Sequence, residues 1–228
     1  MIFDPLYLVF LAPGILLGLW AQWRVSSAYQ HGSQIAARSG ASGAETAAEI
    51  MHAAGIRNVG IEPVPGELTD HYSPEEKVLR LSPNVYQGRS LAALGIAAHE
   101  AGHAIQDAKR YPLLTLRNGL VPLASIGGSV GWIMIAVGMV LAVSGLVWAG
   151  IAVFSATVLF QLVNLPVEFD ASRRARAELL ATGLIARGEE REVAKVLNAA
   201  ALTYVAATLT SILTLLYFVF RAGGSSDE

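Results

Sequence analysis

Cysteine is absent from the 228 residues. That excludes a disulfide framework and any thiolate metal site, so a metal could be held only by histidine and carboxylate side chains. Charge is scarce as well: Asp, Glu, Lys and Arg make up 15% of the chain, against about 25% in an ordinary soluble domain. The net charge of −2 gives no basic field to recruit a polyanion, so no nucleic-acid partner is expected. In place of charge stand apolar residues, 54% of the sequence, with a mean hydropathy of +0.48. This is the composition of a membrane protein.

The charge-poor stretches are long enough to cross a bilayer, which takes about 20 mainly apolar residues. Residues 5–23 carry no charge, and the 50 residues from Asn118 to Val167 contain no Asp, Glu, Lys or Arg. That run accommodates two spans, placed at 119–165, with a turn at Val143-Ser144-Gly145, where Ser and Gly break the apolar pattern. Residues 196–220 form a fourth span, closed by Arg221. Trp20, Trp23, Trp132, Trp148 and Tyr217 are candidate anchors at the membrane interface or packing residues between helices. The first segment is expected to be a retained anchor, not a signal peptide, because its start, Met-Ile-Phe-Asp-Pro, places Asp4 where a positive charge belongs.

Between the first span and the hairpin, residues 24–117 read as a small domain at the membrane surface. Ser42 and Glu45 fit a capping box at a helix start, and Gly55 fits the residue just past the helix end. His52 on that helix is expected to be partly exposed and not a ligand, and His31 carries no functional assignment. Residues 58–64 alternate apolar side chains and read as a strand. Residues 68–74 are turn-rich, and residues 77–82 read as a second, half-exposed strand. The two strands either form a small hairpin covering the next helix or offer an edge to an extended peptide.

That next helix, 90–107 with Ser90 as N-cap, holds Ala97-Ala98-His99-Glu100-Ala101-Gly102-His103-Ala104. Residues four apart share a helix face, so His99 and His103 can reach one point. Two imidazoles at this spacing make half of a zinc site, and the glutamate between them can act as base toward a water. The plain alternative is a pair of surface histidines. The helix is too short to span and is bracketed by Arg89, Gln106, Asp107, Lys109 and Arg110, so it belongs outside the bilayer. Its small residues keep it thin enough for another backbone to come close.

A catalytic zinc needs three protein ligands and an open position. A third histidine six residues on is missing, since that position is Lys109. An uncharged hairpin that leaves and re-enters returns Glu168 to the side of the motif, and Pro166 suits the first turn of a new helix there. Glu168 is therefore a candidate third ligand, or else a carboxylate placed by the helix dipole.

The residues Leu68-Thr69-Asp70-His71-Tyr72, Leu81-Ser82, Ala97 to Gln106, Leu165-Pro166-Val167-Glu168-Phe169 and Ala171-Ser172-Arg173-Arg174 together resemble the YugP-type neutral zinc metallopeptidases of bacterial membranes, and the similarity runs on through Ala200-Ala201-Leu202-Thr203-Tyr204. More distantly, Glu168-Phe169-x-Ala171 is similar to a motif of the HtpX-type and CAAX-prenyl endopeptidases. The resemblance implies a mainly α membrane protein with about four transmembrane helices and a small gluzincin-like α+β domain. It implies one zinc ion per chain on His99, His103 and Glu168, with the third ligand carried by helices in 166–195. It implies hydrolysis of a peptide or protein substrate by a metal-activated water, with Glu100 as general base. One departure stands out: Ser172 occupies the place of an aspartate that orients a zinc histidine in the wider group, and Asp170 lies too far around a helix to replace it directly. His71, Tyr72, Arg173 and Tyr204 are candidates to stabilise the oxyanion.

Basic residues give the sidedness. Arg173, Arg174, Arg176, Arg187, Arg191 and Lys195 follow the hairpin, and Arg24, Lys109, Arg110 and Arg117 flank spans on the same side. Positive residues favour the cytoplasm, so the site is expected to face it, in an inner cell membrane. The rival readings are a zinc hydrolase of a non-peptide substrate and a membrane scaffold without turnover. An intact Glu100 speaks against the scaffold.

Overall fold

The structure is a computed structural model and describes residues 5–224; the Met1–Asp4 start used in the anchor argument lies outside them. The described residues are mainly helical, with one small sheet. Among the described residues, four helical stretches are long and apolar enough to cross a membrane: Pro5–Ser33, Pro112–Val140, Ser144–Ala181 and Glu190–Gly224. The chain divides into two compact units.

The first unit takes the described residues of 1–21, 115–166 and 202–228. It contains the apolar part of α1 (Pro5–Ser33), most of α5 (Pro112–Ile126) running through a π-helical turn at Gly127–Gly131 into α6 (Trp132–Val140), and parts of α7 (Ser144–Ala181) and α8 (Glu190–Gly224). Without water between helices to drive association, small residues allow the backbones to touch. A Cβ at Gly131 would lie 2.9 Å from the Phe154 amide nitrogen, and one at Gly150 2.8 Å from that of Ile135. Tyr217 and Phe218 are both buried and contact Tyr7, Phe10, Trp132 and Phe154 edge-on or stacked. Tyr217 is therefore a packing residue, whereas Trp20 and Trp148 are among the exposed large side chains of this unit. Thr208, Thr210 and Thr214 each donate to the carbonyl four residues earlier, which satisfies these hydroxyls within their own helix. The hairpin turn comes slightly earlier than its composition indicates: α6 ends at Val140, Ala142 is left-handed (φ 54°), and Ser144 already begins α7.

The second unit, residues 22–114 and 167–201, holds the sheet. Helix α2 (Gly43–Ala53) starts on the expected capping box, with Ser42 N–H donating to Glu45 Oε2 at 2.7 Å and Glu45 N–H to Ser42 Oγ at 3.2 Å. Gly55, just past its end, is left-handed (φ 76°). The strands β1 (Gly60–Pro63), β2 (His71–Ser73) and β3 (Val78–Leu81) pair in the order β1-β3-β2. The two sequence-visible strands are not a hairpin: β1 and β3 run parallel, and the antiparallel neighbour of β3 is β2, from a stretch that reads as loop. Parallel strands need a crossover, and the intervening residues supply it while adding an edge strand of their own. After a short helix α3 (Pro83–Tyr86), α4 (Leu91–Ala108) begins with Ser90 Oγ accepting from the Ala93 amide at 3.2 Å. Most of α4 is buried, and Ala97, Ala98 and Ala101 expose no surface. Around it pack Ile50, Leu79, Leu81, Val85, Leu179 and Leu197.

Pro166 does not start a new helix. It lies inside the continuous α7. An interior proline costs about 3 kcal/mol in an isolated helix, but a helix already nucleated on both sides propagates through it, and long apolar helices tolerate such breaks.

Candidate metal centre

Helices α4 and α7 are held close by Gly102. A Cβ there would meet the Ala171 carbonyl oxygen at 2.7 Å and its Cα at 3.3 Å, so the approach of α7 requires the missing side chain. Glu168 lies one helical turn before Ala171 and is thereby brought to α4. Its Oε2 is 3.2 Å from His99 Nε2 and 3.5 Å from His103 Nε2. Among the described residues, His99, His103 and Glu168 form one group whose donor atoms all lie within 4.8 Å of one another. The carboxylate is buried, with 3% of its side chain exposed, and the imidazoles retain 13% and 12%.

The outer nitrogens of the two rings are occupied elsewhere. His99 Nδ1 lies 3.1 Å from Ser172 Oγ, so the residue that departs from the wider motif does reach the imidazole. His103 Nδ1 lies 2.9 Å from Gln106 Oε1. Gln106 is fully buried and donates to the Val167 carbonyl at 2.8 Å and to Asp170 Oδ2 at 3.0 Å. Asp170, itself buried, also accepts from Arg173 and Arg174. With both Nδ1 atoms engaged, both Nε2 atoms converge on the Glu168 carboxylate, two nitrogens and one oxygen of the kind zinc takes in open sites. The donor set fits that ion.

Burial alone would lower the pKa of His103, but the hydrogen bond and charge of Glu168 outweigh it, and the imidazole sits above its ordinary value. A proton therefore competes with a cation for this nitrogen. Glu100, between the two histidines, is 8% exposed.

Three of the candidate oxyanion donors are engaged with other groups. Burial and then the bond to Asp107 raise the Tyr72 pKa, its hydroxyl donating to Asp107 Oδ2 at 2.6 Å. His71 donates through Nδ1 to the Thr69 carbonyl at 2.8 Å. Arg173 donates to Asp170. Tyr204 belongs to the other unit. His52 is exposed, and His31 lies 3.3 Å from Glu192. The residue that sequence reasoning passed over is Gln106. Its signal was faint: a polar side chain one turn after a motif histidine, near the polar end of a helix otherwise rich in alanine, glycine and aliphatic residues.

Comparison with known proteins places the chain in a family. The family described as "Putative neutral zinc metallopeptidase" matches residues 7–223. A protein of Bacillus subtilis (strain 168) described as "Putative membrane protease YugP" is 46% identical over 212 residues, covering 93% of this chain and 94% of that protein. No solved structure matches. With a match over nearly its whole length and four membrane-length apolar helices, the chain belongs to this family of neutral zinc metallopeptidases and is a membrane protein.

Proposed function

We propose that this protein is a membrane-bound endopeptidase that holds one zinc ion on His99, His103 and Glu168 and hydrolyses peptide bonds with Glu100 as general base. The observation that carries the reading is the convergence of two Nε2 atoms and a buried carboxylate oxygen, with both Nδ1 atoms bonded to other groups. Zinc supplies Lewis acidity here, polarising a carbonyl and acidifying water.

The chain's own residues do the rest. Ser172 and Gln106 hold the two imidazoles with Nε2 toward the site. Glu100 is fixed on the same rigid helix, one residue after His99 and three before His103. Its carboxylate takes the proton of the attacking water and delivers it to the departing amine, so one group serves as base and then as acid. Strand β2 lies at an edge of the sheet, a position suited to pairing with an extended substrate. The basic residues around 173–195 and beside the spans support an orientation in which the site faces the cytoplasm of the cell membrane.

The test uses the purified full chain in detergent, with zinc content and cleavage of casein measured beside Glu100→Gln. The wild type is expected to carry one zinc and to cleave. Glu100→Gln is expected to keep its zinc and to lose about 10²–10⁴-fold in rate. Zinc without peptide cleavage in the wild type would instead favour hydrolysis of a non-peptide substrate, and no zinc would favour a scaffold.

A further inference from the structure

We propose that Gln106 is a positioning residue that locks His103 and the Glu168-bearing turn of α7 to one another, and that Gln106, more than Ser172, sets the zinc affinity of the site. The inference rests on the zinc reading above and concerns a residue outside the ligand set.

A carboxamide can be built either way round, so its orientation has to come from its partners. Here they decide it. Gln106 faces the Val167 carbonyl at 2.8 Å and Asp170 Oδ2 at 3.0 Å, and neither oxygen can donate. The Asp170 carboxylate is also held by Arg173 and Arg174, whose guanidinium groups keep it an acceptor. The amide nitrogen of Gln106 must therefore point toward α7, and its oxygen toward His103 Nδ1. That oxygen can only accept, so Nδ1 carries a hydrogen, and Nε2 is the nitrogen left to offer a lone pair to a metal, on the side where Glu168 Oε2 stands at 3.5 Å.

One chain of fixed polarity thus runs from the arginines through Asp170 and Gln106 to His103. His99 has no equivalent. Its partner at 3.1 Å is a hydroxyl, which accepts or donates equally well and so does not choose between tautomers. Gln106 does a second thing that Ser172 cannot. Ser172 sits on α7 and contacts one ring of α4, whereas Gln106 sits on α4 and grips Val167 and Asp170, one position before Glu168 and two after it. A single buried amide therefore sets the orientation of one ligand and the distance to another.

Zinc affinity of the full-length protein in detergent, read by competition with a chromophoric chelator, tests this, together with the visible absorption of the cobalt(II)-substituted site. Gln106→Met keeps the length of the side chain and removes both its donor and its acceptor. It is expected to raise the zinc Kd about 10–100-fold, the range typical for loss of a partner behind a metal ligand, and to change the cobalt bands. Ser172→Ala is expected to raise the Kd by a smaller factor. Melting of the zinc-free proteins is followed in parallel: a merely structural glutamine would lower the melting temperature and leave Kd and cobalt bands as in the wild type. That result would overturn the proposal, as would a loss in Ser172→Ala equal to or larger than in Gln106→Met. If Gln106→Met does not fold, Asp170→Asn takes its place, because an amide at 170 offers a donor and lets Gln106 turn over. A raised Kd supports the proposal and an unchanged one overturns it. A wild type that binds no zinc defeats the zinc reading and the proposal together, whereas a wild type that binds zinc no better than Gln106→Met defeats the proposal alone.

Discussion

At the scale of single residues, Asp70 shows how much of this molecule's polar chemistry is structural. Its carboxylate accepts the Ser82 amide at 2.8 Å and the Ser82 hydroxyl at 3.0–3.1 Å, and Ser82 is fully buried. Burial nevertheless raises the Asp70 pKa above the ordinary aspartate value, outweighing those bonds. A carboxyl whose pKa rises on folding favours the folded state when protonated. That contribution is complete below the unfolded pKa of about 4 and disappears as pH climbs through the higher folded value. Melting temperatures of the wild type and Asp70→Asn compared from pH 4 upward should therefore show the wild type losing ground to the variant as pH rises; parallel curves would contradict it. His99, Glu100 and His103 were legible from spacing alone, because a helix turns spacing into direction. Glu168 needed the resemblance, since a lone glutamate past an uncharged run has two sensible readings. Gln106 was not legible, because its role is set by which way an amide faces, and only the Val167 carbonyl and the Asp170 carboxylate decide that.

At the scale of elements, α4 and α7 matter most, and their contact turns on Gly102. In an open helix, alanine for glycine gains about 1 kcal/mol. Here the new Cβ would press on the Ala171 backbone at 2.7 Å, and overpacking of this kind costs about 1–3 kcal/mol. Backbone cannot rotate away as a side chain can. Gly102→Ala should therefore lower the melting temperature and weaken zinc binding together, by moving Glu168 away from the histidines; calorimetric zinc titration beside thermal melting checks both. The thinness of α4 was readable in its run of alanines. The course of α7 was not: Pro166 looked like a start signal, and proline signals have little force inside a helix that is nucleated on both sides. Strand β2 escaped notice for a different reason. It is three residues long, and its pairing with β3 is a long-range event that its turn-rich composition does not announce.

For the whole molecule, four membrane-length helices and the distribution of arginine and lysine govern orientation. The proposed cytoplasmic orientation of the site predicts that a reporter joined after Arg221 is active only when it reports from outside the cytoplasm, and a cytoplasmic signal would reverse the proposal. The composition had already defined this scale, because a 50-residue stretch without a charged side chain leaves few alternatives in water. The limits of the two compact units were less accessible, since α1, α7 and α8 each contribute to both.

The 69 positions that separate His99 from Glu168 have a consequence for the making of the protein. Chains are synthesised from one end, and the uncharged hairpin stands between the two halves of the donor set. A chain that ends between His103 and Glu168 owns both imidazoles of the set but not its carboxylate, one ligand short of what an open zinc site takes from its protein. The order of translation is therefore an order of assembly, and the third donor of the candidate metal site is the last thing the first three apolar segments deliver.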